Sequence, residues 1–262
     1  MRLYTTDGGN MAKKISDIRD ELKNTDINDI DSFVKDYQED DRSGVEKLVV
    51  SANKKKQAYE KELDRTETMK IYENSYSNYK LIAGIDEVGR GPLAGPVVTA
   101  AVILPEDCNL LYINDSKKVS AKMREVLYDQ IMEKAIAVGI GIEGVDVIDD
   151  INILQATYSA MRKSIEALEV KPDLILVDAV TIPKISTEQV AIIKGDEKSI
   201  TIAAASIVAK VTRDRMMVDY DEIFPGYFFA SNKGYGAQVH IDAIKAIGPC
   251  PIHRRSFIKN FV

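Results

Sequence analysis

Apolar positions along this chain follow two different periods. Between Met11 and about Asn78 they recur at helical spacing: Ile15, Ile18 and Leu22, then Ile27, Ile30, Phe33, Val34 and Tyr37. A third run holds Val45, Leu48, Val49, Ala52, Ala58, Tyr59 and Leu63. Intervals of three and four residues put side chains on one face of a helix. Glycine and proline are almost absent here, and Lys, Glu and Asp are dense. The pattern predicts a small helical N-terminal domain over residues 11–75. Residues 1–10, polar and glycine-containing, are expected to form a partly disordered tail. Lys54-Lys55-Lys56 on the third helix reads either as a solvated face or as a nucleic-acid contact.

From Tyr79 strands and helices alternate. Lys80 to Val88, Val97 to Leu104, Ile136 to Ile142, Leu174 to Val177 and Val190 to Ile193 read as strands. The Leu174–Val177 run is apolar throughout, as in a strand covered on both faces, and ends at Asp178. Helices are predicted from Ser120, a good N-cap, from Asp149-Asp150 to about Leu168, from Ser199 to Val218, and from Gln238 to Ile247. The expectation is an α/β catalytic domain over residues 79–262, its C-terminal part helical and rich in Gly, Pro and aromatics.

Composition narrows the class. No apolar segment approaches membrane-spanning length and no signal-peptide pattern is present. The two cysteines, Cys108 and Cys250, have no metal-ligand spacing, and the two histidines, His240 and His253, are too few for a histidine-rich metal site. A cytoplasmic, reduced protein is expected. The net charge of −6 argues against a nucleic-acid partner at first sight. Local basic surface decides phosphate binding, however, and a site built of carboxylates itself lowers the total.

The candidate chemistry lies at element ends. Asp86 and Glu87 close an apolar run and precede the turn Gly89-Arg90-Gly91. On these residues alone, a surface hairpin with an acidic edge and a metal-binding carboxylate pair both remain open. Asp178 ends a strand and Asp196 precedes a long helix. In open α/β sheets ligands gather beyond the carboxyl ends of strands. Four carboxylates there would repel one another unless hard cations such as Mg²⁺ sat between them. Ser206, Lys210 and Arg213 share a helix face by their spacing, and such a face is a candidate for a phosphate backbone. In Asn232-Lys233-Gly234-Tyr235-Gly236, a glycine-flanked ring is either a loop tyrosine or a stacking platform.

Together these segments resemble the bacterial ribonuclease HII family. The match runs in family order through Gly84–Val98, Asn114–Lys118, Ile151–Thr157, Leu176–Asp178, Lys194–Asp196, Ala203–Asp214, Lys233–Gly236 and Pro251–Phe257. It covers nearly all of Tyr79 to Val262. The related ribonuclease HIII family usually has Glu as its fourth acid, so Asp196 favours HII. The resemblance implies a ribonuclease H-like mixed sheet flanked by helices. It implies an endonuclease that cleaves the RNA strand of RNA–DNA hybrids and nicks duplex DNA 5′ to an embedded ribonucleotide. The products would carry 5′-phosphate and 3′-hydroxyl ends, and the cellular roles would be ribonucleotide removal and primer removal. It implies Asp86, Glu87, Asp178 and Asp196 as catalytic ligands of two Mg²⁺ or Mn²⁺ ions. Gly89, Arg90, Gly91 and Tyr235 would sense the ribose 2′-hydroxyl, with Lys117 and Lys210 as further substrate contacts. A monomer without membrane contact is expected. The N-terminal region resembles an extension thought to aid substrate binding.

Two other readings compete with this one. A carboxylate-metal nuclease indifferent to the 2′-hydroxyl, such as a resolvase, has no need of the Gly-Arg-Gly and Lys-Gly-Tyr elements. A non-catalytic hybrid-binding module has no chemical demand for four carboxylates near phosphates.

Overall fold

The computed structural model describes residues 13–262. The expected tail over residues 1–10 lies outside them. The chain divides into two compact units between Arg65 and Thr66.

The first unit is helical. It holds α1 (Ile15–Asn24), a 3₁₀ turn (Ile27–Asp29), α2 (Ile30–Tyr37) and most of α3 (Ser43–Thr68). Ile18, Leu22, Ile30, Phe33, Val45 and Ala52 form its core, on the faces that the spacing picks out. Fully burying each larger apolar side chain contributes roughly 1.5–3 kcal/mol. The lysine run is largely used within the unit. Lys56 pairs with Asp31 at 2.6 Å, and Lys55 donates to the Thr25 carbonyl at 3.1 Å.

The second unit is built on a five-stranded sheet. Its elements are α4 (Ile71–Ser75), β1 (Ile82–Val88), β2 (Val97–Ile103), α5 (Ala121–Lys134), β3 (Ala137–Glu143) and α6 (Val145–Glu166). Then come β4 (Leu174–Asp178), β5 (Glu188–Ile192), α7 (Ile200–Ile223), α8 (Phe229–Asn232) and α9 (Gln238–Ile247). The strand order is β3-β2-β1-β4-β5. β1 pairs antiparallel with β2 and parallel with β4, so the sheet is mixed. α7 covers one face through Ala203, Ala204, Ala205, Ile207 and Val208 against Val98, Ala100 and Val102. The approach is close. A Cβ at Gly84 of β1 would lie 2.1 Å from the Thr201 backbone, so only glycine fits there. On the other face, Met161 of α6 packs with Ile85, Ala101, Ile175 and Val177. A C-terminal lobe has its own core of Ala94, Met217, Tyr227, Phe229, Ile244 and Ile258.

Thr66 to Asn78 resembles the preceding helical stretch in composition but belongs by its contacts to the second unit. Met69 lies in the main sheet core. Glu73 of α4 caps α7: its Oε1 accepts from Ser199 Oγ (2.6 Å), Thr201 N (3.1 Å) and Thr201 Oγ1 (2.8 Å). A carboxylate there satisfies otherwise orphaned N–H groups and suits the helix dipole.

Two expected helices differ from those observed. α6 begins at Val145 rather than Asp149, and Asn152, at φ 66°, interrupts it. The Asn152 Oδ1 accepts from the backbone N–H groups of Leu154 and Gln155, so the side chain starts the helix anew in mid-course. α7 runs on to Ile223 instead of stopping near Val218, because nothing breaks it before Pro225. Cys108 and Cys250 are both free and buried. No described helix is long and apolar enough to cross a membrane.

Candidate active site

Strand alternation places the first acids. Side chains two residues apart share a face of a sheet. Gly84 faces α7, and by the same alternation so does Asp86, which lies close to Ser206 of that helix. Ser206 Oγ is in turn 3.0 Å from Ser116 Oγ. Ile85 pairs with Val177 across the parallel β1–β4 ladder, so the next residues, Asp86 and Asp178, are neighbours at the carboxyl ends of both strands. Leu176 packs on Ile202 of α7, which puts Asp178 on the same face as Asp86. Asp196 comes from the 3₁₀ turn Gly195–Glu197, and that turn is tied to β4 by the Gly195 N–H donating to Asp178 Oδ1 at 2.7 Å.

These carboxyls are near enough to feel one another. Asp86 is held well above the usual carboxylate range, first by burial and then by Glu87 and Asp178, with nearby Ser206 and the Glu87 N–H opposing. Glu87 is raised by burial and Asp178 despite its ion pair with Arg90 at 3.1 Å. Asp196 is pushed up to about 6 by burial, Asp115 and Asp178, with Lys117 opposing. Burial alone would lower the Lys117 ammonium, but Asp115, Asp86, Asp196 and Tyr235 together raise it. Lys117 therefore lies in the field of the acids.

Among the described residues no three carboxylate, histidine or cysteine side chains form a ready-made metal cage. The donor set nevertheless fits hard divalent cations. It is all carboxylate oxygen, and its mutual repulsion is what a cation would relieve.

The loop beside the acids is held from below by two buried arginines. Gly89 has φ +91°, and a Cβ there would lie 2.3 Å from Arg213 Nε. Arg213 donates to the carbonyls of Pro96 (2.9 Å), Ala94 (3.0 Å) and Lys233 (2.9 Å). Arg254 donates to those of Arg90 (2.9 Å), Gly89 (2.5 Å) and Gly95 (2.8 Å). The Leu93 N–H donates to the Gly234 carbonyl at 2.8 Å. The segment Gly89–Pro96 is thus bonded to the segment that carries Tyr235, whose ring is 43% exposed. A Cβ at Gly91 would meet nothing within 4 Å, so this glycine leaves open space.

This corrects one expectation and completes another. Arg213 and Arg254 are both fully buried and hold backbone carbonyls, so neither faces a phosphate. The stripe expected from Ser206, Lys210 and Arg213 dissolves accordingly: Ser206 is buried and bonds Ser116, Arg213 is internal, and Lys210 pairs with Asp214 at 2.8 Å. Lys210 sits in a charge group with Arg124, Asp214 and Lys233 rather than among the acids. Asp115 and Ser116, which bring Lys117 to the site, had only the Asn-Asp-Ser-Lys-Lys loop as their signal. The supporting arginines had none.

Known proteins resemble this chain in sequence and fold. Residues 83–260 match the family Ribonuclease HII, and residues 14–77 match the Ribonuclease HII N-terminal domain. The Ribonuclease HII of Lachnoclostridium phytofermentans is 59% identical over 250 residues, covering 95% of this chain and 98% of the relative. That of Enterococcus faecalis is 52% identical over 229 residues, covering 87% and 89%. Among solved structures, the ribonuclease H2 of Pyrococcus horikoshii superposes with a TM-score of 0.57 at 26% identity, over 69% of this chain and 96% of that one. A structure of the PCNA:RNase HII complex from Archaeoglobus fulgidus gives 0.59 at 28%, with the same coverage. The chain belongs to the ribonuclease HII family, metal-dependent endoribonucleases acting on RNA–DNA hybrids.

Proposed function

We propose that this chain nicks duplex DNA on the 5′ side of an embedded ribonucleotide, as well as cleaving longer hybrids, and leaves 5′-phosphate and 3′-hydroxyl ends. The observation that carries the reading is the bonding of the loop that follows Asp86 and Glu87 to the segment of Tyr235. Arg213 donates to the carbonyls of Ala94 and Pro96 in that loop and to that of Lys233, two residues before Tyr235, and the Leu93 N–H donates to the Gly234 carbonyl.

Asp86, Glu87, Asp178 and Asp196 are the residues that would hold two Mg²⁺ or Mn²⁺ ions. Such ions supply Lewis-acid activation of a water and neutralise charge developing at phosphorus. The Glu87 N–H, 2.7 Å from Asp86 Oδ1, fixes the Asp86 carboxylate. Arg90 fixes Glu87 through its ion pair. Lys117 brings positive charge to where a phosphate would lie. The 2′-hydroxyl distinguishes RNA from DNA. The backbone of Gly89–Gly91, with open space at Gly91, is suited to bond it. The exposed Tyr235 ring is suited to stack on the following deoxyribose. The N-terminal helical unit is read as an accessory to substrate binding, and the chain as a working monomer.

An end-labelled duplex with one ribonucleotide, incubated with Mg²⁺ or Mn²⁺, tests the chemistry. The fragment upstream of the cut should end in a 3′-hydroxyl on the deoxynucleotide before the ribonucleotide, and the downstream fragment should start with a 5′-phosphate. A 2′,3′-cyclic phosphate would mean attack by the 2′-hydroxyl itself and would contradict a hydrolytic water.

A further inference from the structure

His240 and His253, the two histidines of the chain, take no part in the chemistry above, yet both are buried. Their Nε2 atoms lie 3.0 Å apart, so at most one proton sits between them. The flanking bonds decide which ring carries it. The Cys250 backbone N–H donates to His253 Nδ1 at 2.9 Å, closer than the Cys250 carbonyl at 3.3 Å, which makes that nitrogen an acceptor. A neutral His253 then carries its proton on Nε2 and donates to His240 Nε2. His240 must carry its own on Nδ1, which donates to the Tyr235 carbonyl at 2.8 Å. Donors therefore run in one direction, from Cys250 to Tyr235.

The surroundings keep both rings neutral. Tyr227 packs against His253 with ring centroids 4.8 Å apart, and Phe229 against His240 at 5.2 Å. The Tyr227 hydroxyl bonds the Gly248 carbonyl, and Cys250 Sγ lies 3.1 Å from His253 Nδ1. Arg255 is the charged neighbour, and it too disfavours a proton on His253. Burial, His240 and Arg255 lower His253 to about 4.

The far end of this chain is the peptide that follows the Tyr235 ring. Its carbonyl also accepts from the Ala237 N–H at 2.8 Å, so two donors fix the peptide plane. Tyr235 follows a left-handed Gly234, and its side chain is partly exposed, with the Arg213 guanidinium 5.9 Å from the ring centre. Its aim is set by its backbone. We propose that His240 and His253 are positioning residues, a buried one-directional hydrogen-bond chain that holds Tyr235 in the pose that reads the RNA–DNA junction. Neither touches substrate. The inference rests on the reading of Tyr235 given above, and it makes the junction specificity of this enzyme depend on two side chains behind the site.

The test has two arms. Nitrogen-15 NMR of the full-length wild-type protein reads the two imidazoles directly, and only two ring systems contribute. His240 protonated at Nδ1 and His253 at Nε2 is the expected result; the opposite pair of tautomers overturns the proposal, whatever any variant does. The second arm measures nicking of a single-ribonucleotide duplex relative to cleavage of a long hybrid. His240→Phe should lower this ratio about tenfold, the factor lost with one buried hydrogen bond. His240→Asn, whose amide nitrogen replaces Nδ1, should recover most of it. Adding His240→Phe to Tyr235→Ala should change the ratio no further. An unchanged ratio in His240→Phe, with Tyr235→Ala altering it, removes the histidine chain and leaves the tyrosine reading intact. An unchanged ratio in Tyr235→Ala removes both.

Discussion

Arg254 donates to the carbonyl of Arg90 at 2.9 Å, although the two residues are 164 apart in sequence and Arg254 is wholly buried. The same guanidinium reaches Gly89, Gly95 and Pro96. Backbone oxygens take its hydrogen bonds, and the Phe257 ring lies 5.1 Å from it. Burial and the nearby Arg213 lower its pKa to about 9, which still leaves it charged at neutral pH. The turn beside the acids is therefore shaped by the last segment of the chain.

Arg254→Lys should lose most of this arrangement, because an ammonium cannot reach four carbonyls in a plane. A loss on the order of 3 kcal/mol is expected, since hydrogen bonds to charged groups are worth about 1.5–3 kcal/mol each and some remain. Thermal unfolding measures it. Nicking activity should fall too, and an unshifted melting temperature would show that the carbonyls are satisfied otherwise.

Asp86→Asn should separate activity from stability. Losing one of the ligands that hold two cations should lower the turnover number about a thousandfold or more, several kcal/mol of transition-state stabilisation. The metal-free protein should melt no lower than wild type, because the substitution removes a buried charge repelled by Glu87 and Asp178. Activity assays and metal-free melting curves check the two halves independently.

Metal binding should depend on pH with a definite sign. Asp196 is raised in the fold to about 6, above its ordinary 3.8. Its contribution to metal-free stability is thus full below that ordinary value and is lost as pH rises through about 6. A cation needs the ionised form, so it recovers this loss. The rise in melting temperature produced by saturating Mn²⁺ should be larger at pH 8 than at pH 5.5, and Asp196→Asn should flatten the difference. Equal rises at both pH values in the wild type would contradict the placement of Asp196 among the acids.

Glu73→Ala tests the cap on α7. Removing a carboxylate that accepts three hydrogen bonds at a helix start should cost about 1–2 kcal/mol. For a chain of this size that is a fall of roughly 2–8 °C in melting temperature. The hybrid-cleavage rate at saturating substrate should be unchanged well below that temperature.

Much of this was legible in the residues because the signals were local. Apolar runs bounded by Gly and Pro located all five strands to within two residues, and Ser120 and Ser199 do cap α5 and α7. The acids were legible as strand-end residues. Arg213 and Arg254 were not, because an arginine in a polar stretch reads as surface, and only the fold reveals the carbonyls that draw it inside. Glu73 was hidden in the same way, in a stretch dense with charged residues. The break at Asn152 left no periodic trace, since apolar residues continue in helical phase on both sides of it.

The central claim is that a 2′-hydroxyl reader stands beside the acids that cut. The most direct measurement compares three duplexes of one sequence: all-DNA, with one ribonucleotide, and with one 2′-O-methyl ribonucleotide. The account expects a single nick 5′ to the ribonucleotide in the second and none in the other two. Equal cutting of all three, or no cutting of the second by the wild-type protein with Mg²⁺ or Mn²⁺, would contradict it.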